Sequence, residues 1–171
     1  MALVYTPGGA SDNSYVSLAE AEAYFDDRIN STANGNWDTD SAGVARTDAA
    51  KSAALVTATR RIDEEQFLGL KTSSGQALKW PRTDVYDEDG NAFNSATIPA
   101  IVKQATYLTA LELLRADFLQ EDYMGNFSYF QSGAVQIKQF SQTSTGKLPA
   151  EARRLLRTVM TSSGGGRLVR A

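Results

Sequence analysis

The stretch from Ile98 to Leu119, IPAIVKQATYLTALELLRADFL, constrains the fold more than any other part of the chain. Pro99 suits the first turn of a helix, where its missing N–H costs nothing. The twenty residues after it contain no Gly and no second Pro and are rich in Ala and Leu, which favour helix. Ile98, Ile101, Val102, Ala105, Leu108 and Thr109 recur at i, i+3, i+4 and i+7 and form one stripe. Tyr107, Ala110, Leu111, Leu114 and Phe118 form a second apolar face on the other side. A helix that is apolar on two sides is packed on two sides. The sequence therefore predicts a central helix about 30 Å long, at about 1.5 Å per residue. Glu112 falls inside the first stripe, where a carboxylate is expected to be ion-paired. Arg60 and Arg61 of an earlier predicted helix are its expected partners.

The rest of the chain arranges around that helix. Residues 1–16 read as an N-terminal arm of turn and loop chemistry, with Pro7-Gly8-Gly9 and Ser11 to Ser14. Ser17-Leu18-Ala19-Glu20 is a capping box, stapled by Val16 and Ala21, and opens a helix to about Ile29. Residues 30–46 are small and polar and read as a loop anchored by Trp37. Thr47 or Asp48 starts a second long helix to about Phe67, with Ala50, Ala54, Leu55, Ala58 and Ile62 on one face. Pro149 at N1 opens a last helix, with Ala152, Leu155, Leu156, Val159 and Met160 on its apolar side.

Two segments lack helical period. Residues 71–97 form a long extended connection, in which Pro81 keeps Trp80 out of the helical region. Val85-Tyr86 leads from it into a turn at Asp87-Glu88-Asp89-Gly90-Asn91. A stretch of about thirty irregular residues is unusual in a compact domain. It is expected to wrap the helices or to meet a neighbouring subunit, which makes Trp80, Pro81, Arg82 and Tyr86 candidate subunit-interface residues. Residues 125–146 form a strand and loop insertion, because Ala134 to Phe140 alternates with period two after an aromatic cluster of Tyr123, Phe127, Tyr129 and Phe130. The expected fold is mainly α: a small helical bundle around a long central helix, with a long extended loop, a short strand or hairpin and a flexible C-terminal tail. Its single helical domain spans 17–161, and 162–171 are a Gly-rich linker and a basic tail.

Composition removes several function classes. The 171 residues contain no Cys and no His, so disulfides, thiolate chemistry, Ser-His-Asp catalysis and most zinc and haem sites are not expected. No apolar run approaches the roughly eighteen residues of a membrane-spanning helix. The opening MALVYTPGGA lacks the basic region and apolar core of a signal peptide. A soluble protein of a reducing compartment, or of a particle built there, is the expectation. The net charge of −3 is unevenly placed: from Lys147 onward six basic side chains face the single carboxylate of Glu151, and the preceding 146 residues carry −8. An acidic body with a cationic end reads as a body with a docking tail, and not as the broad basic face of a general nucleic-acid binder. Arg167-Leu168-Val169-Arg170-Ala171, beyond the linker Ser162 to Gly166, is the expected docking element.

Catalytic and ligand motifs fail on spacing. Asp87-Glu88-Asp89-Gly90 resembles part of a calcium loop, but Val85 would hold the first ligand position and Ala96 the bidentate Glu position. Gly146-Lys147 is followed by Leu148 where a P-loop needs Ser or Thr. Asp26-Asp27 and Asp38 with Asp40 are paired carboxylates on helix-end and loop positions, with no supporting motif for glycoside hydrolysis or Mg²⁺. No catalytic residue, cofactor or metal is expected.

Several pieces stand in order along the chain: Asn13-Ser14-Tyr15-Val16-Ser17 with Glu20-Ala21 and Tyr24; Ala58-Thr59-Arg60; Gln76-Ala77-Leu78-Lys79-Trp80-Pro81-Arg82; Ile98-Pro99 with Val102, Ala105 and Glu112-Leu113; and the closing Arg167-Leu168-Val169-Arg170. Together they resemble a tailed-phage family of head–tail adaptor (head completion, connector) proteins, often labelled DnaT-like single-stranded-DNA-binding proteins. The resemblance implies a virion protein that forms a ring, typically of twelve copies, under the portal protein. It implies a C-terminal segment, here Arg167 to Ala171, that reaches into the portal, and a downstream neck or tail protein as a further partner. Genomic double-stranded DNA would pass through the lumen without specific binding, and no membrane is involved. The loop Asn34 to Val44 is longer and more polar than the resemblance implies, so nothing is carried over for it. The rival reading is the label itself, a single-stranded-DNA-binding replication protein, against which the acidic body speaks.

Overall fold

The structure, a computed structural model, describes residues 2–28, 33, 35–115, 130–132, 135–137 and 148–161. Its elements are α1 (Leu18–Asp26), α2 (Asp48–Asp63), β1 (Leu70–Lys71), β2 (Arg82–Thr83), α3 (Ala100–Arg115), β3 (Phe130–Ser132), β4 (Val135–Ile137) and α4 (Ala150–Leu156). The protein is mainly helical, with two small antiparallel strand pairs, β1–β2 and β3–β4.

Helix starts follow the local chemistry. The Ser17 hydroxyl accepts the Glu20 N–H at 3.2 Å, and the Glu20 carboxylate accepts the Ser17 N–H at 2.8 Å, which closes the capping box. The Thr47 hydroxyl caps α2 by accepting the Ala50 N–H. Both helices are shorter than expected, since α1 stops at Asp26 and α2 at Asp63. Ala54, Leu55, Ala58 and Ile62 are buried on α2, whereas Ala50 is exposed and Lys51 is buried in its stead.

α3 is buried on both sides, through Val102, Ala105 and Thr109 on one stripe and Tyr107, Ala110 and Leu111 on the other. It packs against α2 and α4. The buried hydroxyls of Thr106 and Thr109 donate to the carbonyls of Val102 and Ala105, each at 2.8 Å, so neither is left unpaired in the core. α2 and α3 are each 16 residues long, and α3 is described only to Arg115, short of the expected Leu119. Pro149 takes the N-cap position of α4, one place before the expected N1.

The long connection folds back on the end of α2 and on the N-terminal segment. β1 pairs with β2 in the register Leu70↔Thr83 and Lys71↔Arg82, and buried Gln76 closes the loop between them. Its side chain accepts the Ser73 N–H and donates to the carbonyls of Leu78 and Pro81, at 3.0, 2.9 and 3.0 Å. The Trp80–Pro81 peptide is cis. Tyr86 bridges to Ala92 around a turn in which the Asp87 carboxylate accepts the N–H groups of Asp89 and Asn91, the plain turn read from the sequence. The N-terminal segment, read as an arm, lies against this connection: Ala77 donates to the carbonyl of Gly9, and Asp12, Ser14, Tyr15 and Val16 are buried. β3 and β4 pair antiparallel with the register Phe130↔Ile137. The rest of the 125–146 insertion and the 162–171 tail lie outside the described residues.

Candidate interaction surfaces

The Trp-Pro-Arg segment is built into its own subunit. Trp80 is 1 % exposed, edge-on to Phe67 with ring centroids 5.6 Å apart, and Pro81 is buried. The Arg82 guanidinium donates to the carbonyls of Leu68 at 2.6 Å, Gly69 at 2.5 Å, Lys79 at 3.2 Å and Phe67 at 3.4 Å. It thereby holds the chain that leaves α2 against β2. Gly69 makes the close approach possible, because its φ is +70° and a Cβ there would collide with the Thr83 carbonyl oxygen. Beside this clamp the Asp63 carboxylate accepts the Tyr15 hydroxyl and, at 2.7 Å, the Lys79 N–H. Burial first, and the Asp63 charge second, push the Tyr15 hydroxyl well above its ordinary pKa. Of the four residues expected at a subunit interface, Trp80 and Pro81 are thus enclosed and Arg82 is engaged with carbonyls. Tyr86, 53 % exposed, is the one whose ring is open to a neighbour.

The expected α2–α3 ion pair is replaced by local pairs. Glu112 meets Arg115 one turn on, at 2.8 Å, and Arg61 meets Glu64. Glu112 is half-exposed, so its carboxylate turns along α3 toward solvent instead of crossing to α2. Arg60 is exposed on α2. Arg167, Leu168, Val169, Arg170 and Ala171 lie outside the described residues.

Two cation sites were not read from the sequence. Lys51 is buried on α2, 2.7 Å from Asp38 and 3.5 Å from Glu22, with its ammonium 5.7 Å from the centre of the Trp37 ring. Trp37 stacks on Phe25 at 4.7 Å, so loop 35–46 is pinned to α1 and α2 as its single Trp suggested. Burial depresses the Lys51 ammonium, but the hydrogen bond and charge of Asp38, helped by Glu22, outweigh it and leave the pKa raised. Lys103 on α3 pairs with Glu20 of the capping box at 2.5 Å and lies 5.4 Å over the Tyr5 ring. Burial pushes the Glu20 carboxyl up, yet the hydrogen bonds from Lys103 and Ser17 and the Lys103 charge carry it below its ordinary value. A charged side chain at an otherwise apolar helical position is the sequence signal that could have found Lys51.

Between α1 and α3 lies a shallow groove of about 320 Å³, floored by Tyr24 and Tyr107 and rimmed by Glu20, Asp27, Lys103 and Gln104. The two tyrosines stack at 4.6 Å, and Arg28 sits 5.4 Å over Tyr24 and donates to its hydroxyl. Burial, and then the Glu20 charge, push the Tyr107 hydroxyl up to about 12.

The described cations are mostly committed within the chain. Lys51, Arg61, Lys103, Arg115 and Arg154 pair with carboxylates. Arg46, Lys71, Lys79, Arg82 and Arg153 donate to backbone carbonyls. Among the described residues no group of three or more acidic side chains is placed to hold a metal ion, and no helix is long and apolar enough to cross a membrane.

Neither a curated protein nor a solved structure matches the chain. A family model matches residues 1–171, and the chain belongs to that family, described as "Putative DnaT-like ssDNA binding protein".

Proposed function

We propose that this chain is a structural virion protein: a head–tail adaptor whose copies form a ring on the portal, join the capsid to the tail or neck and line part of the DNA channel. The observation that carries the reading is the distribution of charge. The body is acidic, its described cations are largely held by its own carboxylates and carbonyls, and the cationic surplus is confined to the last 25 residues. Such a wall repels passing DNA instead of gripping it. A Gly-rich linker followed by Arg167-Leu168-Val169-Arg170-Ala171 suits insertion into a partner, where many copies multiply a weak contact. The role is non-catalytic and calls for no cofactor. A helical bundle around α3, with the 71–97 segment facing the next subunit, belongs to the same proposal.

The second reading, a single-stranded-DNA-binding replication protein, draws on the family's description and on the α1–α3 groove, where tyrosines lie beside Arg28 and Lys103. Two features weigh against it. Glu20 and Asp27 rim the same groove, and Tyr107 is only 5 % exposed, so its face is closed to a base. Measuring the mass of the purified protein alone, with its portal protein and with a single-stranded oligonucleotide separates the two. Ring assembly on the portal without oligonucleotide binding is the expected result. Oligonucleotide binding that weakens steeply with salt would overturn the adaptor reading in favour of the second.

A further inference from the structure

We propose that the surface running from the end of α4 across β1 to the turn after β2 is a contact between copies of this chain, with the acidic turn of one copy seated on Arg157, just past α4, in the next. The backbone fixes the order of this patch. Leu68 donates to the carbonyl of Val159 at 2.9 Å and Phe67 bridges to Met160, so the end of α4 lies beside the start of β1. Leu70 then pairs with Thr83 of β2, and the chain continues through Tyr86 into the turn capped by Asp87. Exposed Arg157, two residues before Val159, therefore stands at one end of this path, with apolar side chains in the middle and carboxylates at the other end.

The middle is open: Leu70 is 68 % exposed, Tyr86 53 % and Leu68 40 %. The ends are unmatched. Among the described residues, Arg157 and the carboxylates of Asp87, Glu88 and Asp89 take no part in an ion pair. An apolar strip between unpaired charges of opposite sign is complementary to itself. A second copy that seats its acidic turn on the arginine end shields the leucines and leaves its own arginine end for a third, whereas an anionic membrane or nucleic acid would meet repulsion at the acidic turn. This contact deepens the ring reading, and it rests on that reading only for the number of copies joined.

The absence of cysteine makes the test direct. Ala92→Cys, beside Tyr86, and Thr161→Cys, just past α4, both replace exposed residues and are oxidised singly, mixed and in one chain. A heterodimer from the mixture is the expected product. Charge reversal by Glu88→Arg with Asp89→Arg should cut its yield about tenfold, and adding Arg157→Glu on the other partner should restore it. In the doubly substituted chain a ladder of multimers supports both the contact and the ring. A product that stops at the dimer supports the contact but removes the ring. Monomer alone, a mixture dominated by homodimers of the Ala92→Cys chain, or yields indifferent to charge reversal would overturn the proposal.

Discussion

Arg82 acts as a backbone clamp, which is a demanding use of its shape. Four carbonyls from two segments converge on one planar, five-donor group, and a lysine ammonium offers three donors from a single point. Arg82→Lys should therefore leave half-buried carbonyls unsatisfied and destabilise the fold by about 2 kcal/mol, read from the midpoint and slope of urea unfolding. Glu20 holds two roles that one substitution separates. Glu20→Gln keeps an N3 group able to accept the Ser17 N–H but removes the charge facing Lys103. The Glu20 pKa is lowered in the fold, so its contribution to stability is present above the ordinary carboxylate value of about 4.3 and is lost as pH falls through the lower folded value. Glu20→Gln should be less stable than the parent near neutral pH, and the gap should close in strongly acid solution. A gap that is independent of pH would assign the loss to something other than the charge.

Elements that depend on neighbours in sequence were the legible ones. The Ser17–Glu20 box, the Thr47 cap and the two apolar stripes of α3 follow from spacing alone, and the helices begin where the caps lie. Trp37 was legible as an anchor because it is the one large apolar residue in a polar loop. What spacing cannot show is where extended chain returns. The clamp of Arg82 on residues 67–69 joins positions 13 to 15 apart, and the Asp63 carboxylate meets Tyr15 across 48. Trp80 therefore looked available to a neighbour when it is buried in its own chain. Glu112 misled for a related reason: a stripe position assigned it to the core edge, but a cation three residues along the same helix was within reach. Lys51 is the instructive case for loop 35–46, whose attachment to α1 and α2 runs through one buried ammonium and the stacked Trp37. Lys51→Met retains much of the apolar stem and removes the ammonium. It should cost about 2 kcal/mol, as a lost hydrogen bond between charged groups does, and should speed amide exchange across residues 36–46 while the middle of α2 stays protected.

For the molecule as a whole, the adaptor reading requires that the body and the cationic end be separable. The described part of the body carries a core of its own. Tyr15, Trp37, Leu55, Ile62, Trp80, Val102, Leu156 and Val159 belong to one buried cluster of the described residues, and Thr161 is tied back to the carbonyl of Gln66 at 2.9 Å. Deleting residues 162–171 removes Arg167 and Arg170 and takes the net charge from −3 to −5. The truncated chain should keep the parent's unfolding midpoint and far-ultraviolet circular dichroism. On the adaptor reading its attachment to the portal should be lost, because that reading gives the removed segment the contact that many copies multiply. Substituting Arg167→Ala and Arg170→Ala in the full chain refines the expectation. If the two guanidinium groups meet carboxylates on the portal, attachment of the parent weakens with added salt, and the double substitution both weakens it and flattens that dependence. If Leu168 and Val169 carry the contact instead, the double substitution leaves attachment nearly unchanged, and Leu168→Ala with Val169→Ala abolishes it. Attachment unaltered by deletion of the whole segment would move the portal contact onto the acidic body, where the surplus charge is of the wrong sign for the docking role assigned here to the tail.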